Sequence, residues 1–453
     1  MKSAHVTYKE ILGKAKRMDA PVHLSTGNHA RRLIAHSPYS IMKVGDASQR
    51  IWHAGRWRRV YVSNPDHGIT LLGSSAILKE NLENEKLVSL KYTDDLEDKR
   101  LKAGWILISC SGTIGNCAFS NAQHAEKLAS QHVIRINPNN ILRPGLIYAY
   151  LASRYGYAML TQGTFGSVIQ HIEPQHVESI PIPRFPESFQ KEVDDLIQEA
   201  ARLREEATDD MEKAKTIIES FFKCVMPLSF PRRISSKDIL ASHNKRFEAN
   251  YHISSGRYYE DYIKNNFEWK EVGDVCESIS RPDIFKRYYV KNGYMFLGIS
   301  HIMLAIPQSE KRLSKTKTSN PQTLMVEEGT ILIPRSGTIG DVAYATSQHA
   351  QKLVSEHVIR ARPNNILRGG YVYAFLASSI GKALLQRAIF GSVIQHIESP
   401  HIARIPIPII GQEKMLEIDD LVKTYGAKLG RSGDSELKAI SMVEQEIERW
   451  SRH

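Results

Sequence analysis

Three residues in the first half of the chain fit the pattern of a metal-dependent nuclease. Asp66 follows a proline, and Glu97 and Lys99 stand one residue apart further along, as in a PD-(D/E)xK motif. Two such carboxylates could bind a divalent cation that activates water to attack a phosphodiester. The motif is degenerate, and Pro65-Asp66 lies in a short insertion that the second half of the chain lacks, so a nuclease is the weaker interpretation.

A second candidate is the glycine turn SGTIG, which occurs at residues 111–115 and again at 336–340. Backbone amides in such a turn could hold a phosphate group. The turn lacks the Gly-Lys-Ser/Thr of a P-loop, so nucleotide hydrolysis is unsupported and a structural turn is favoured. Arg335 precedes the second turn and is placed to contact DNA, whereas Cys110 occupies that position before the first.

Histidines also recur in pairs along the chain and could suggest zinc binding. No cysteine accompanies them and their spacing is irregular, so structural hydrogen bonding is the favoured role. The four cysteines lack metal or redox spacing, which predicts buried free thiols in a reducing compartment, and we expect a cytoplasmic location. The histidine pairs are His124/His349, His132/His357, His171/His396 and His176/His401.

These recurrences belong to a long internal repeat. Gly104–Pro183 aligns with Gly329–Pro408 at a constant offset and without a gap, and about 49 of 80 positions are identical. Upstream, Lys16–Gly27 matches Lys245–Gly256, and a short block starting at Arg58 matches one starting at Lys286. A repeat this long indicates two copies of one domain rather than a solenoid.

Dissimilar stretches separate the matched blocks, namely residues 28–57 against 257–285 and 76–103 against 301–328. A shared scaffold with divergent inserts suits one fold that reads two targets, although drift in surface loops gives the same pattern. Short β-branched runs bounded by Gly, Pro and Asn predict strands, and residues 143–162 predict a helix. We therefore predict an α+β fold with two repeated, mixed target-recognition domains at residues 1–185 and 228–408.

Each repeat is followed by a segment with apolar residues at steps of three and four, typical of a long helix in a coiled coil. We assign residues 186–227 and 409–453 to two spacer helices that form an antiparallel coiled coil and hold the domains apart. The glycines between residues 426 and 433 predict a kink or a short unwinding of the second helix. The residues expected to pair the helices or dock a partner are Leu196, Leu203, Met211, Ile217, Phe221, Leu421, Leu437, Ile440 and Ile447.

The charge of the chain favours a polyanionic partner. Its 453 residues carry a formal net charge of +11, with a pI near 9.3. Nucleic acid is the simplest such partner. No apolar run approaches the length of a membrane span.

The whole arrangement resembles the DNA-specificity subunit of type I restriction–modification systems. The resemblance rests on RSGTIGDVA at Arg335–Ala343, the two FGSVIQHI blocks, the IPIP endings, the KRFEANYH opening and the order domain–helix–domain–helix. It implies that each domain reads one half of a bipartite duplex site while the helices dock methyltransferase subunits. Two half-sites on one face of the duplex would lie roughly 34 Å apart.

The resemblance further implies a chain without a catalytic centre, in a complex with two methyltransferase subunits and restriction–translocase subunits. S-adenosylmethionine, ATP and Mg²⁺ are expected on those partners, since this chain has no (N/D)PP(Y/F) tetrapeptide. The alternatives are a system with a fused methyltransferase–nuclease partner, the nuclease described above, and a scaffold that binds only proteins. The candidate DNA contacts are Arg17, Arg58, Arg59, Ser111, Thr113, Ser167, Gln170, Lys245, Arg246, Lys286, Arg287, Arg335, Ser336, Thr338, Ser392 and Gln395.

Overall fold

The computed structural model describes Tyr8 and residues 25–162, 171–222, 233–242, 245–364, 366–391 and 395–450. The chain forms two compact units. Unit 1 consists of residues 1–205 and 431–453, and unit 2 consists of residues 206–430. Each unit therefore combines one copy of the repeat with a segment of both long helices.

Unit 1 contains short strands and short helices before its share of the long helices. The helices are α1 (Thr26–Ala35), α2 (Leu96–Lys99), α3 (Pro144–Ala152), α4 (Arg154–Gln162) and α5 (Pro174–Glu178). The strands are β1 (Ile41–Lys43), β2 (Ser48–Trp52), β3 (Tyr61–Val62), β4 (Gly68–Leu72), β5 (Leu87–Ser89), β6 (Ile106–Ser109), β7 (Cys117–Phe119), β8 (Leu128–Ala129), β9 (Val133–Pro138) and β10 (Pro181–Pro183).

The strands of unit 1 form one antiparallel sheet, one mixed sheet and an edge pair. The antiparallel sheet has the order β2-β9-β6-β7, the mixed sheet has the order β3-β5-β4-β8, and β1 pairs with β10. Strand β6 reads Ile-Leu-Ile-Ser and is buried on both faces, as its unbroken apolar run predicts. Helix α3 is apolar on nearly all sides and lies in the core between the sheet and the long helices.

Unit 2 repeats this arrangement. Its helices are α7 (Ser236–Ala241), α8 (Ala249–His252), α9 (Ser255–Asn266), α10 (Pro321–Leu324), α11 (Gly369–Ala377), α12 (Ser379–Arg387) and α13 (Ser399–Ala403). Its strands are β11 (Trp269–Glu271), β12 (Cys276–Ser280), β13 (Tyr289–Leu297), β14 (Arg312–Leu313), β15 (Ile331–Pro334), β16 (Ala343–Tyr344), β17 (Leu353–Val354), β18 (Val358–Pro363) and β19 (Pro406–Pro408).

The sheets of unit 2 have the orders β12-β18-β15-β16, β14-β13-β17 and β11-β19, which match those of unit 1 strand for strand except at one place. Strands β3 and β4 correspond to the two ends of the continuous strand β13. In unit 1 a 3₁₀ turn at Pro65–His67 separates them, and Asn64 caps that turn by accepting a hydrogen bond from the Asp66 amide. The insertion thus lengthens the loop between β3 and β4, which lie on either side of β5, and the predicted repeated α+β fold is confirmed.

The long helices are α6 (Glu187–Ser220) and α14 (Gln412–Trp450), and they run antiparallel within each unit. In unit 1, Arg204 lies 2.6 Å from Glu436. The Phe185 ring just before α6 lies 5.8 Å from the Trp450 ring at the end of α14, so within unit 1 rising numbers on one helix face falling numbers on the other. In unit 2, Lys428 lies 2.6 Å from Asp210. Among the described residues, no helix combines the length and the hydrophobicity needed to cross a membrane.

The structure tests the predicted contacts of the helices. Leu203, Met211 and Ile447 are buried, and Leu196, Ile217, Phe221, Leu421 and Ile440 pack half-buried against a core. Leu437 is 39% exposed and lies outside this packed set, so its predicted role in docking a partner stays a prediction. The helix face that turns inward instead carries Glu436, Ala439 and Val443. Leu437 lies about 100° around the helix from Glu436 and so points outward.

The predicted unwinding of the second helix is wrong, because α14 continues through residues 426–433, whereas a kink there stays a prediction. The glycines there serve close packing within unit 2. A Cβ on Gly426 would lie 2.6 Å from the Tyr344 ring, and one on Gly430 would lie 2.5 Å from Ser347 Oγ. The low helix propensity of glycine is offset by tertiary contacts that no larger residue would permit.

The long helices also hold each core helix by its N-terminus. Asp194 Oδ1 accepts a hydrogen bond from the Gly145 amide at 2.7 Å, and Asp419 Oδ1 accepts one from the Gly370 amide at 2.8 Å. A carboxylate is favourable at a helix N-terminus because the first amides there lack intrahelical acceptors. The same contact in both units fixes α3 and α11 against the helix that follows each repeat.

Candidate nucleic-acid interface

The surface of unit 1 that best suits a polyanion lies around β3 and β5. Arg58 is exposed just before β3, and the ring of Tyr61 is 50% exposed on that strand. Lys86, which precedes β5, places its ammonium 5.3 Å from the centre of the Tyr61 ring. Strand pairing of Tyr61 with Val88 brings these residues together. We name Arg58, Tyr61 and Lys86 the first basic surface.

Unit 2 has an equivalent surface at the start of β13. Tyr289 corresponds to Tyr61 in the repeat and is 52% exposed. The ammonium groups of Lys286 and Lys317 lie 5.2 and 5.5 Å from the centre of the Tyr288 ring. Lysines held against rings in this way lose less conformational freedom when they contact a phosphate. We name Lys286, Tyr288, Tyr289 and Lys317 the second basic surface.

Sequence reasoning found only part of these surfaces. Arg58 and Lys286 were predicted as phosphate contacts, and both side chains are exposed. Tyr61, Lys86, Tyr289 and Lys317 were missed. A signal for the tyrosines was present, since a Tyr-Val pair follows the basic pair in both repeats, but Lys86 and Lys317 do not occupy equivalent positions of the repeat.

The second arginine of each basic pair makes contacts inside the protein. Arg59 donates a hydrogen bond to the Gln131 side chain, and Arg287 pairs with Glu356 at 2.5 Å. Burial disfavours the charged form of Glu356, but the hydrogen bond from Arg287 outweighs burial and holds the pKa of that carboxyl below its usual range. Both arginines are therefore partly neutralised or occupied, and they orient the segment before β3 and β13.

Arg246 was predicted as a DNA contact, but its side chain is buried. Its guanidinium pairs with Glu248 and donates to the carbonyls of Ala388 and Ile389. This set of acceptors makes it a structural residue that joins α8 to the end of α12. Lys245 beside it is exposed.

The SGTIG turns present exposed backbone at the same place in both units. Gly112 and Gly337 have φ of 76° and 80°, and Gly115 and Gly340 have φ of 83° and 111°, a region that favours glycine. Thr113 and Thr338 are exposed at the tips of these turns. They remain candidate contacts.

The serine that opens each turn is held from within the protein. Ser111 is buried, and its hydroxyl lies 2.6 Å from His132 Nδ1. Ser336 is half-buried and forms a β-bridge with His396, the counterpart of a bridge between Ser111 and His171. The serines therefore position the turns, and Gln395 beside the second turn is exposed. Four candidate contacts lie outside the described residues, namely Arg17, Ser167, Gln170 and Ser392.

Arg335 is held by an acidic partner. Its guanidinium lies 2.6 Å from Glu398, which also accepts from Arg281 at 3.1 Å. Burial raises the pKa of Glu398, but hydrogen bonds from the two arginines outweigh it, so the pKa lies below its ordinary value. In unit 1, Glu173 occupies the equivalent position and contacts only His53 among the described residues, at 3.4 Å.

The nuclease-like residues have other partners. Lys99 is buried and its ammonium donates to the carbonyls of Asp94 and Asp95. Glu97 pairs with Arg100, and Asp66 lies in the exposed 3₁₀ turn. A lysine directed at main-chain carbonyls is not positioned to assist a metal-bound water.

The repeated histidines bind protein groups as well. His124 and His349 are buried and contact main-chain carbonyls, and His176 contacts the carbonyl of Met159. Burial lowers the pKa of both His124 and His349 to about 4. Within the described ranges, no group of three or more His, Cys, Asp or Glu side chains is arranged to hold a metal ion.

Comparison with known proteins gives a family match over both units. The family model described as the type I restriction modification DNA specificity domain matches residues 71–198 and 264–427. The two matches fall on the two copies of the repeat and together span more than half of the chain. A search of curated proteins found no significant match.

Solved structures of low similarity were also found. The S subunit of a type I restriction–modification system from M. genitalium has 11% identity, covers 91% of this chain and 96% of its own, and gives a TM-score of 0.34. The HsdS subunit from Thermoanaerobacter tengcongensis has 14% identity, with coverage of 91% and 96% and a TM-score of 0.29. A structure from work on the assembly and conformational transition of the type I system has 13% identity, coverage of 92% and 97% and a TM-score of 0.29.

The family match rests on the chain's own two repeats. It covers the strands and core helices that carry both SGTIG turns and the first part of each long helix. The chain therefore belongs to the type I restriction–modification DNA specificity family.

Proposed function

We propose that the chain, as the DNA-recognition subunit of a type I restriction–modification system, reads a bipartite duplex site with one half-site per unit. The observation that carries this proposal is that a lysine ammonium lies against a tyrosine ring in the same region of both units, Lys86 on Tyr61 in unit 1 and Lys286 on Tyr288 in unit 2. The exposed Tyr61 also has an exposed counterpart in Tyr289. One fold with two such surfaces suits a ligand that presents similar backbones and different bases.

Affinity and sequence preference would come from different parts of each unit. Exposed cations such as Arg58, Lys86, Lys286 and Lys317 suit phosphate oxygens, and each phosphate contact steepens the salt dependence of binding by about 0.9. Base edges would be read by polar side chains in the stretches that differ between the copies. The scaffold residues that are identical in both units supply the same frame to both half-sites.

We further propose that the chemistry belongs to partner chains. Methyltransferase subunits, two per complex, would bring S-adenosylmethionine, and restriction subunits would bring ATP and Mg²⁺. The family description supports a role in specificity, and the nuclease-like residues in this chain are engaged in contacts with their own neighbours. A partner with methyltransferase and nuclease fused in one chain would use this subunit in the same way.

The experiment is long-read mapping of modified adenines in cells that express this chain with its neighbouring methyltransferase. We expect a gapped, two-part motif that is absent when this chain is omitted. The control strain expresses the methyltransferase alone at the same level. An unchanged pattern of methylation, with the two proteins shown to copurify, would contradict the proposal.

The composition of the purified complex separates the two arrangements of partners. Native mass spectrometry of the complex would show either separate methyltransferase and restriction chains or one fused chain. The purified chain without its partners, incubated with Mg²⁺ and DNA, tests the nuclease alternative. We expect no cleavage by the chain alone, and cleavage that is lost on replacing Asp66 and Glu97 by Asn and Gln would reverse that assignment.

A further inference from the structure

The inserts at residues 76–103 and 301–328 have the same length but little sequence in common. We name them the first insert and the second insert. Only five of their 28 aligned positions are identical. The scaffold that follows them is, in contrast, identical at about 49 of 80 positions. Each insert supplies part of a basic surface, through Lys86 in unit 1 and Lys317 in unit 2.

A scaffold histidine holds the start of each insert. His124 Nε2 lies 3.2 Å from the carbonyl oxygen of Ile77, and His349 Nε2 lies 3.1 Å from that of Ile302. In unit 2 the Thr346 amide donates to His349 Nδ1, so Nε2 must carry the proton and donate it to the insert. The two bonds occupy equivalent positions of the repeat.

A scaffold arginine holds the other end of each insert. Arg135 is fully buried, and its Nη2 lies 3.2 Å from the carbonyl oxygen of Lys99 and 2.5 Å from that of Ala129. The guanidinium thus joins the insert to strand β8 of the scaffold.

Arg360 makes the corresponding contacts in unit 2. Its Nη2 lies 3.0 Å from the carbonyl of Leu324 and 2.8 Å from that of Val354, and its Nη1 lies 2.5 Å from that of Thr323. Burial lowers the pKa of Arg135 and of Arg360 to about 10, which still leaves both charged at neutral pH.

All four contacts address the main chain of the insert. At equivalent positions Arg135 and Arg360 bind the carbonyls of Lys99 and Leu324, two residues with unlike side chains. Each residue has a main-chain carbonyl oxygen whatever its side chain, so these hydrogen bonds do not depend on the amino-acid sequence of the insert. The scaffold can therefore hold inserts of one length and many sequences in one position.

We propose that His124, Arg135, His349 and Arg360 are positioning residues that fix an exchangeable recognition insert, and that the insert selects the half-site read by its unit. This inference rests on the proposed function, since it names the part of each unit that gives specificity. Residues of the scaffold would contribute affinity, because they are largely the same in both units and meet different half-sites.

Exchange of the inserts is the direct test. The first insert is replaced by the sequence of the second in the full-length chain, and modified adenines are mapped with the methyltransferase present. We expect the half-site of unit 1 to become that of unit 2, giving a motif with two like halves. The control is the reciprocal exchange, which is expected to give two copies of the other half-site.

The results of the exchange distinguish a failure of this inference from a failure of the proposed function. A folded exchange variant that keeps the parental motif would overturn the inference and leave the proposed function standing. If the unaltered chain directs methylation at no bipartite motif, the proposed function itself is contradicted. Folding is judged by the thermal unfolding of the variant and by its copurification with the methyltransferase.

Substitution of the arginines decides the matter if the exchange variant does not fold. Arg135→Met and Arg360→Met each remove the main-chain contacts in one unit and keep an unbranched apolar stem. We expect each variant to lose at least tenfold in discrimination against base changes in its own half-site, with the other half-site unaffected. Each serves as the control for the other, and Arg135→Lys, which can still donate to one carbonyl, should recover part of the loss. Equal loss at both half-sites, or none at either, would contradict the inference.

Discussion

The two units build the same fold with the same main-chain contacts but with different ion pairs. Histidine and arginine anchors, and the aspartate at the N-terminus of the core helix, recur at equivalent positions. The side-chain pairs beside the SGTIG turns differ between the units. Where unit 2 has Glu398 between Arg281 and Arg335, unit 1 has Glu173, His53 and Cys110. Contacts to backbone thus preserve the fold, while pairs between side chains are free to change and alter the surface charge.

The helix contact between α9 and α12 shows the same difference. Gly256 lies so close to α12 that a Cβ would meet the Ala383 carbonyl at 2.4 Å, and Gly27 lies equally close to Ala158 in unit 1. Beside this shared crossing, unit 2 pairs Arg387 with Glu260. Unit 1 has Arg31 and Gln162 at the corresponding positions, joined by a hydrogen bond of 3.1 Å. The arginine thus stands on the opposite helix in unit 1, and a hydrogen bond to a neutral amide replaces the ion pair of unit 2.

The largest expected effect is that of breaking this pair. Arg387→Gln should lower the free energy of unfolding by about 3 kcal/mol, because it removes both the ion pair with Glu260, which keeps only Lys264, and the hydrogen bond to the Tyr251 carbonyl. Adding Glu260→Arg recreates the pair of unit 1 and should recover most of the loss. Urea unfolding of the full chain, with hydrogen–deuterium exchange to locate the change in unit 2, measures both. A double variant no more stable than the single one would show that the two crossings are not equivalent.

Acid should lower the free energy of unfolding of both units to the same extent, because each unit has one buried histidine of this kind. The pKa of His124 and His349 is about 4 in the folded protein and near 6.5 in an unfolded chain, so the unfolded state binds more protons in this range. Their contribution is present above pH 6.5 and is lost as the pH falls towards 4, by up to about 3 kcal/mol for each histidine.

The measurement is the pH dependence of unfolding for His124→Gln and His349→Gln. Each variant should flatten the fall in stability below pH 6.5, and by similar amounts, since the two rings make the same contact. Hydrogen–deuterium exchange should assign the change to unit 1 for the first variant and to unit 2 for the second. Slopes unchanged from the parent would mean that these rings are not the groups that titrate.

A smaller and unequal effect is expected from the acidic residues beside the SGTIG turns. Glu398→Gln should lower the stability of unit 2 by about 1–2 kcal/mol, because it removes an acceptor shared by Arg281 and Arg335. Glu173→Gln, the matched change in unit 1, should cost less than about 0.5 kcal/mol, since Glu173 is 63% exposed and contacts a histidine. If thermal unfolding shows the same loss of stability for both variants, the predicted difference between the units is wrong.

The smallest effect is expected from single lysines of the basic surfaces. Lys86→Ala and Lys317→Ala should each reduce the salt dependence of DNA binding by about one ion, with little change in unfolding. Binding to a duplex that carries the mapped motif, titrated over a range of salt concentrations, gives the slope. Lys264→Ala is a suitable control, because Lys264 is paired with Glu260 away from these surfaces.

Sequence reasoning worked best where repetition and local chemistry agreed. The duplicated α+β domain and the two long helices were predicted correctly. It failed where a residue's role depends on what approaches it from elsewhere in the chain. Arg246 is of a residue type that often contacts DNA, yet its guanidinium pairs with Glu248 and donates hydrogen bonds to two carbonyls at the end of α12.

The helix seam shows the same limit. Leu437 fits an apolar spacing of three and four, but the inward face of α14 includes Glu436, whose carboxylate meets Arg204 and Tyr148. A charged residue in a seam cannot be recognised by hydropathy alone, because its burial is favourable only once its partners are in place. Similarly, Gly426 and Gly430 lower helix propensity locally and permit packing contacts that only the folded unit contains.

The sequence by itself determined that the chain has two copies of one α+β domain, each followed by a long amphipathic helix, and to which family it belongs. Those properties follow from periodicity and from similarity between segments, which are local or linear features of the chain. Only the tertiary structure decided that the inserts are held through their carbonyl oxygens and that Lys86 and Lys317 of those inserts lie against tyrosine rings. Main-chain carbonyls leave no trace in an amino-acid sequence, and contacts between distant segments exist only after the chain has folded.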